Sequence, residues 1–83
     1  MKVQVRYFAS IREAMGQGSE PVQTQATTVG ALRDELIARG GAHAASLARG
    51  KAVRAALDQA MCDDGAALTH GCEVAFFPPV TGG

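Results

Sequence analysis

The residues of this 83-residue chain best suited to chemistry are the last eight, "FFPPVTGG", Phe76 to Gly83. Pro78 and Pro79 hold the backbone extended and remove two ladder donors. From Pro79 to Gly83 the chain can reach roughly 17 Å at about 3.4 Å per residue. Gly82 and Gly83 have no side chains, so they fit a narrow channel and accept any backbone angle. Such a tail delivers a bare α-carboxylate. A carboxylate is a poor electrophile until it is activated, typically as an acyl-adenylate. The tail has no activating group, so an enzyme partner is implied. A lone Gly-Gly pair usually means fraying; the stiff apolar lead-in argues against that here.

A second feature is a pair of misplaced phenylalanines. In "KVQVRYF", Val3, Val5 and Tyr7 share one face by the period of two, and Phe8 falls on the other with Gln4 and Arg6. In "CEVAFF", Val74 and Phe76 face one way, and Glu73, Ala75 and Phe77 the other. If the first and last strands are neighbours, Phe8 and Phe77 form one exposed apolar patch, the mark of a partner surface. The plainer alternative is a second face covered by the chain itself.

The remaining reactive residue types form no constellation. His43 and His70 lack a ligand-spaced companion and read as surface or loop residues, so no metal is expected. Cys62 and Cys72 have no C-x-x-C spacing and read as buried or partly buried thiols. Asp63-Asp64-Gly65 resembles half a calcium loop, but the later ligand positions are missing, so it reads as a turn. No Ser/His/Asp arrangement or phosphate-cradling glycine loop is visible.

The elements that position the tail and the phenylalanines follow from local pattern. "SIREAMG" reads as a short helix, with Ser10 and Glu13 as a capping box and Gly16 as a stop. "PVQTQAT" reads as a strand at a sheet edge because of Pro21. "TTVGALRDELIARGG" is the clearest helix, capped by Thr28, with Val29, Leu32 and Leu36 on its apolar stripe and Ile37 widening it. Glu35 and Arg39 have the spacing of a helical ion pair. "AHAASLARG" adds a short helical turn. "KAVRAALDQAMC" is ambiguous: alanine propensity favours helix, but Val53, Ala55 and Leu57 alternate and Asp58-Gln59 could turn. The sum is an α+β pattern with a helix on one face of a small sheet.

Composition bounds the partners. Eight basic and eight acidic residues cancel, so nothing points to nucleic acid. There is no apolar run of signal-peptide or membrane-spanning length. The expectation is a cytoplasmic protein with reduced thiols and no membrane partner.

"EVAFFPPVTGG", Glu73 to Gly83, closely resembles the C-terminus of the small, sulfur-carrying subunits of molybdopterin synthase. The likeness runs the whole chain, through "VRYFASIRE", "TTVGALRDEL" and "GKAVRAALDQ". It implies the ubiquitin-like β-grasp fold, a mixed sheet packed on one main helix. It implies a single domain over 1–83 with a flexible tail over 78–83. It places the first and last strands side by side and makes "KAVRAALDQAM" mainly strand. The implied chemistry starts with an ATP-using adenylyltransferase like the ubiquitin-activating enzymes, which activates Gly83. A sulfur donor protein then replaces AMP to leave a thiocarboxylate. The large subunit of the synthase supplies the catalytic residues for sulfur transfer to cyclic pyranopterin monophosphate. No cofactor stays bound to the chain; ATP belongs to the activating enzyme. Pro78, Pro79, Val80, Thr81 and Gly82 are implied to thread the partner's tunnel. Phe8, Arg12, Met61 and Phe77 match positions that contact the partners in a heterotetramer. Asp58 stands where the family often has Asn, and Cys72 where a polar turn residue is common.

Other readings share parts of this pattern. Carriers for thiamine or tRNA thiolation also end in Gly-Gly on this fold, but their lead-ins generally lack "FFPPVT". A modifier conjugated to lysines would share the adenylation step. A plain binding module would work without Gly82 and Gly83.

Overall fold

The computed structural model describes residues 1–79. The expected tail over 78–83, and the roles given to Val80, Thr81, Gly82 and Gly83, lie outside the described residues except for Pro78 and Pro79.

Strand β1, Lys2–Tyr7, alternates as its sequence requires, with Val3, Val5 and Tyr7 buried. Helix α1, Ala9–Met15, follows directly, and β2, Ser19–Gln23, returns antiparallel to β1. Helix α2 spans Val29–Ala38 and α3 spans Gly41–Leu47. A hairpin then pairs β3, Arg54–Leu57, with β4, Ala60–Cys62. The last described strand, β5, Glu73–Phe77, inserts between β1 and β3, parallel to the first and antiparallel to the second. The sheet order is β2-β1-β5-β3-β4, a mixed sheet of the ubiquitin-like β-grasp.

One face of this sheet meets the helices. Val3, Val5, Tyr7, Val22, Val74 and Phe76 pack against Val29, Leu32 and Leu36 of α2, Ile11 of α1 and Leu47 of α3. α2 is thus the main helix; Val29, Leu32 and Leu36 of its predicted stripe are fully buried and Ile37 partly so. The Thr28 hydroxyl accepts from the Ala31 N–H at 3.2 Å and caps it as expected.

Two local expectations are corrected. The Ser10–Glu13 capping box does not form. The helix starts earlier, at Ala9, because the Phe8 carbonyl accepts from both Ile11 N–H (3.2 Å) and Arg12 N–H (3.3 Å) and draws Ser10 into the first turn. The Glu35–Arg39 pair is also absent. Glu35 accepts from Thr24 Oγ1 at 2.5 Å, and Arg39 reaches Glu20 at 3.2 Å, since partners from the β2 region outcompete a solvated helical pair. Residues 54–62, where alanine propensity and the family resemblance point different ways, are strand as the resemblance implies. They form a strand hairpin with Asp58 (φ 48) and Gln59 (φ 70) both left-handed at the turn, the geometry of a type I′ connection. Pairing with β5 overrides alanine propensity here.

Candidate functional site

Every second residue of each strand points away from the helices. The registers align Arg6, Ala75, Ala56 and Met61 in one row across the sheet. The next row begins with Phe8, whose N–H donates to the Phe76 carbonyl at 3.2 Å and so extends the parallel pairing one residue beyond β1. Phe77 and its cross-strand partner Arg54 complete it. Phe8 and Phe77 meet edge to face, with ring centroids 6.5 Å apart and planes at 85°. The predicted patch therefore exists.

Its surroundings are apolar beyond what the two rings suggest. Ala56 and Ala75 are each 7% exposed, yet neither belongs to the core cluster on the helix side. Phe8 is 39% exposed and Met61 59%. Two of the three exposed large hydrophobic residues of the described chain thus fall on this one face. A well-folded small protein keeps such side chains in water at a cost of solubility, so the face is a candidate partner surface. The guanidinium of Arg6 lies 5.3 Å from the Phe8 ring centroid and its Nη1 is 3.6 Å from Glu73 Oε1.

The other sequence-named residues are spread around this patch. Met61 lies on the same face, two strands from Phe77 in the order β5-β3-β4. Arg12 is tied to Phe8 through the backbone, but its side chain lies against Gly18, in a shallow depression shared with Ala9 and Glu13. Pro78 leaves β5 beside a surface cleft lined by Ile11, Ala14, Ser46, Lys51 and Val53. Pro79, the last described residue, is half-buried.

Sequence reasoning missed one polar cluster. Glu20 Oε2 accepts from the Tyr7 hydroxyl at 2.6 Å and lies 2.8 Å from His43 Nε2, while Arg39 approaches Oε1 at 3.2 Å. Burial pushes the Glu20 carboxyl up, but the Tyr7 and His43 hydrogen bonds and the His43 and Arg39 charges outweigh it and hold it below the usual value. Burial, with the Glu20 contact behind it, pushes the Tyr7 phenol well above its ordinary range. His43, read as a surface or loop residue, is instead packed edge-on to Tyr7. Nothing in one-dimensional spacing joins positions 7, 20 and 43. The cluster ties β1, β2 and α3 together.

The described residues hold no other reactive centre. No group of three or more His, Cys, Asp or Glu among them could hold a metal. Burial and the nearby Asp63 and Asp64 push the Cys62 thiol up, which makes it a poor nucleophile. Cys72 is buried. No helix is long and apolar enough to cross a membrane.

A small β-grasp sheet with helices on one face and an apolar patch on the other defines a ubiquitin-like protein. The chain belongs to the ThiS family, whose model matches residues 5–83. It is 42% identical over 81 residues to the molybdopterin synthase sulfur carrier subunit of Escherichia coli K12, covering 98% of this chain and 99% of that one. Among solved structures it resembles SAMP1 from Haloferax volcanii, with a TM-score of 0.79, 27% identity and full coverage of both chains. It also resembles a chain of the complex of subunits 1 and 2 of the molybdopterin-converting factor from Helicobacter pylori, with a TM-score of 0.69, 26% identity and full coverage of both.

Proposed function

We propose that this chain is the sulfur carrier subunit of a molybdopterin synthase. The observation that carries the proposal is the placement of β5. The strand delivers Phe77 to the apolar patch and ends at once in Pro78 and Pro79, the last described residues. Docking and tail delivery are thereby one structural act. The likeness to the Escherichia coli carrier over nearly the whole of both chains supports the same reading.

In this reading the Gly83 carboxylate attacks ATP on an adenylyltransferase, and pyrophosphate leaves. A sulfur donor protein displaces AMP and leaves a thiocarboxylate. The charged tail, Pro78 to Gly82, enters the large subunit, which carries the catalytic residues. Sulfur passes to cyclic pyranopterin monophosphate, and two such transfers build the dithiolene. The chain binds no permanent cofactor and does no catalysis alone. Its raised-pKa Cys62 and buried Cys72 are poor places to carry reactive sulfur, which favours the terminus. Phe8, Phe77 and Met61 form the docking face, with Arg12 at its margin. The domain is a single unit over 1–83, and it works in the cytoplasm.

The test is an intact mass of protein purified gently from its own cells, with and without the adenylyltransferase. Exchange of oxygen for sulfur at Gly83, lost without that enzyme, is the expected result. Gly82→Ala and Gly83→Ala should fold normally and fail in transfer; a fully active Gly83→Ala protein would sink the tunnel mechanism. A modifier reading draws on the likeness to the small archaeal modifier protein 1 of H. volcanii. Gly83 found only in isopeptide links to lysine would favour it.

A further inference from the structure

We propose that Arg33 is a positioning residue for the tail: it holds the α3–β3 connection from within the fold, fixes the wall beside Pro78, and so sets the point from which the terminus is presented. The inference rests on the reading of the chain as a sulfur carrier; it gives a buried side chain a part in the delivery step.

Arg33 lies on α2 and is 7% exposed, although an arginine ordinarily keeps to water. Its Nε donates to the Leu47 carbonyl at 2.7 Å. Its Nη2 donates to the Ala48 carbonyl at 2.8 Å and to the Lys51 carbonyl at 3.2 Å. These acceptors are neutral, so no opposite charge at those atoms offsets the desolvation of the guanidinium. Leu47 and Ala48 end α3, and their carbonyls need donors. Lys51 lies beyond the helix end, so capping alone does not require the third bond. The Lys51 N–H returns to the Ala48 carbonyl at 2.9 Å and closes the turn that Arg33 grips.

The gripped turn leads to the root of the tail. Lys51, Ala52 and Val53 line the cleft that Ser10, Ile11 and Pro78 also line. β3 begins at the next residue, where Arg54 pairs with Phe77. One step further, the same antiparallel register would set Val53 against Pro78. The ladder stops there, because Pro78 and Pro79 bring no N–H to continue it. β5 thus offers no donors to residues 51–53 at its own end. Arg33 supplies donors to the turn before them instead, and ties the wall to α2, whose Val29, Leu32 and Leu36 are fixed in the core. The prolines free the tail from the sheet, and Arg33 keeps its root in register. Such registration matters, since a reacting group displaced by about 1 Å can lose on the order of a hundredfold in rate.

Single-turnover sulfur transfer tests this, from the thiocarboxylated chain to cyclic pyranopterin monophosphate with the large subunit of the same organism in saturating excess. Arg33→Met should slow transfer about tenfold or more, while affinity for the large subunit stays within about twofold. A purely structural arginine would give the opposite split. Lost stability weakens apparent affinity, and saturation with the partner restores the native rate. A native rate for Arg33→Met at saturation therefore overturns the inference and leaves the proposed function standing. If the native chain itself transfers no sulfur, the proposed function fails and the inference goes with it. Should Arg33→Met not fold, Ala48→Gly/Ala52→Gly loosens the same wall with Arg33 in place. That variant should transfer severalfold more slowly at unchanged affinity, and a native rate there overturns the inference equally.

Discussion

Phe76 and Phe77 are adjacent, identical in type and opposite in fate. Phe76 is 1% exposed and lies in the core under the helices; Phe77 is half-buried on the other face, against Phe8. One residue of pleat separates a side chain that holds the fold from one that sits on the open face of the sheet. The two faces of a sheet are coupled by backbone but independent in duty. Apolar content alone does not say which duty a residue has; its parity in the strand does.

The sharpest way to break that contrast is to remove each ring in turn. Phe76→Ala should lose about 3–5 kcal/mol of stability, the range for a buried ring. Phe77→Ala should lose about 1 kcal/mol or less and yet lose binding to the large subunit. Urea unfolding of both variants decides it, and equal destabilisation would erase the contrast. Next in size is Gly30→Ala on the helix side. A Cβ there would sit 2.8 Å from Asp64 Cβ and 3.2 Å from the Asp64 carbonyl that holds the Gly30 N–H. A cost of roughly 1–3 kcal/mol is expected in thermal unfolding.

Glu20→Gln tests the polar seam at the sheet's β2 edge, with an expected loss of roughly 1–2 kcal/mol at neutral pH. The folded protein holds the Glu20 carboxyl below its usual value. Its contribution is therefore complete above the unfolded-state pKa, about 4.3, and fades as pH falls through the folded value. Unfolding curves of the native chain should weaken on that acid limb, and the variant should weaken less. An identical acid limb in both would remove Glu20 as its source. The smallest change is Met61→Ser. Stability should stay within about 0.5 kcal/mol, because the side chain is 59% exposed, while binding weakens severalfold. A large loss of stability would show that the open face also holds the fold.

The sequence made several of these features readable. The period of two in β1 and β5 sorted Phe8 from Tyr7 and Phe77 from Phe76. The caps and stripe of α2 were legible because they repeat within a few residues. The β3–β4 hairpin was not legible from propensity, since its alanines favour helix and Asp58-Gln59 is not the Asn-Gly that announces a type I′ turn. Family resemblance corrected that. The Glu20 cluster escaped both routes. Its members come from three elements and meet only after the sheet closes, which no local pattern encodes.

The position of β5 has a kinetic meaning. The last strand to be synthesised among the described residues is the one at the centre of the sheet. Until it arrives, β1–β2, joined through α1, and the β3–β4 hairpin are two separate antiparallel pairs, each with a bare edge, and isolated two-stranded pairs are marginal in water. The sheet therefore closes through contacts of long sequence separation, which slows folding relative to local helical contacts. A chain stalled on the ribosome before residue 73 has no central strand and no Phe8–Phe77 pair. The Phe8–Phe77 pair is therefore assembled only once the central strand is in place, so the open face of the sheet is the last part of the described fold to be completed.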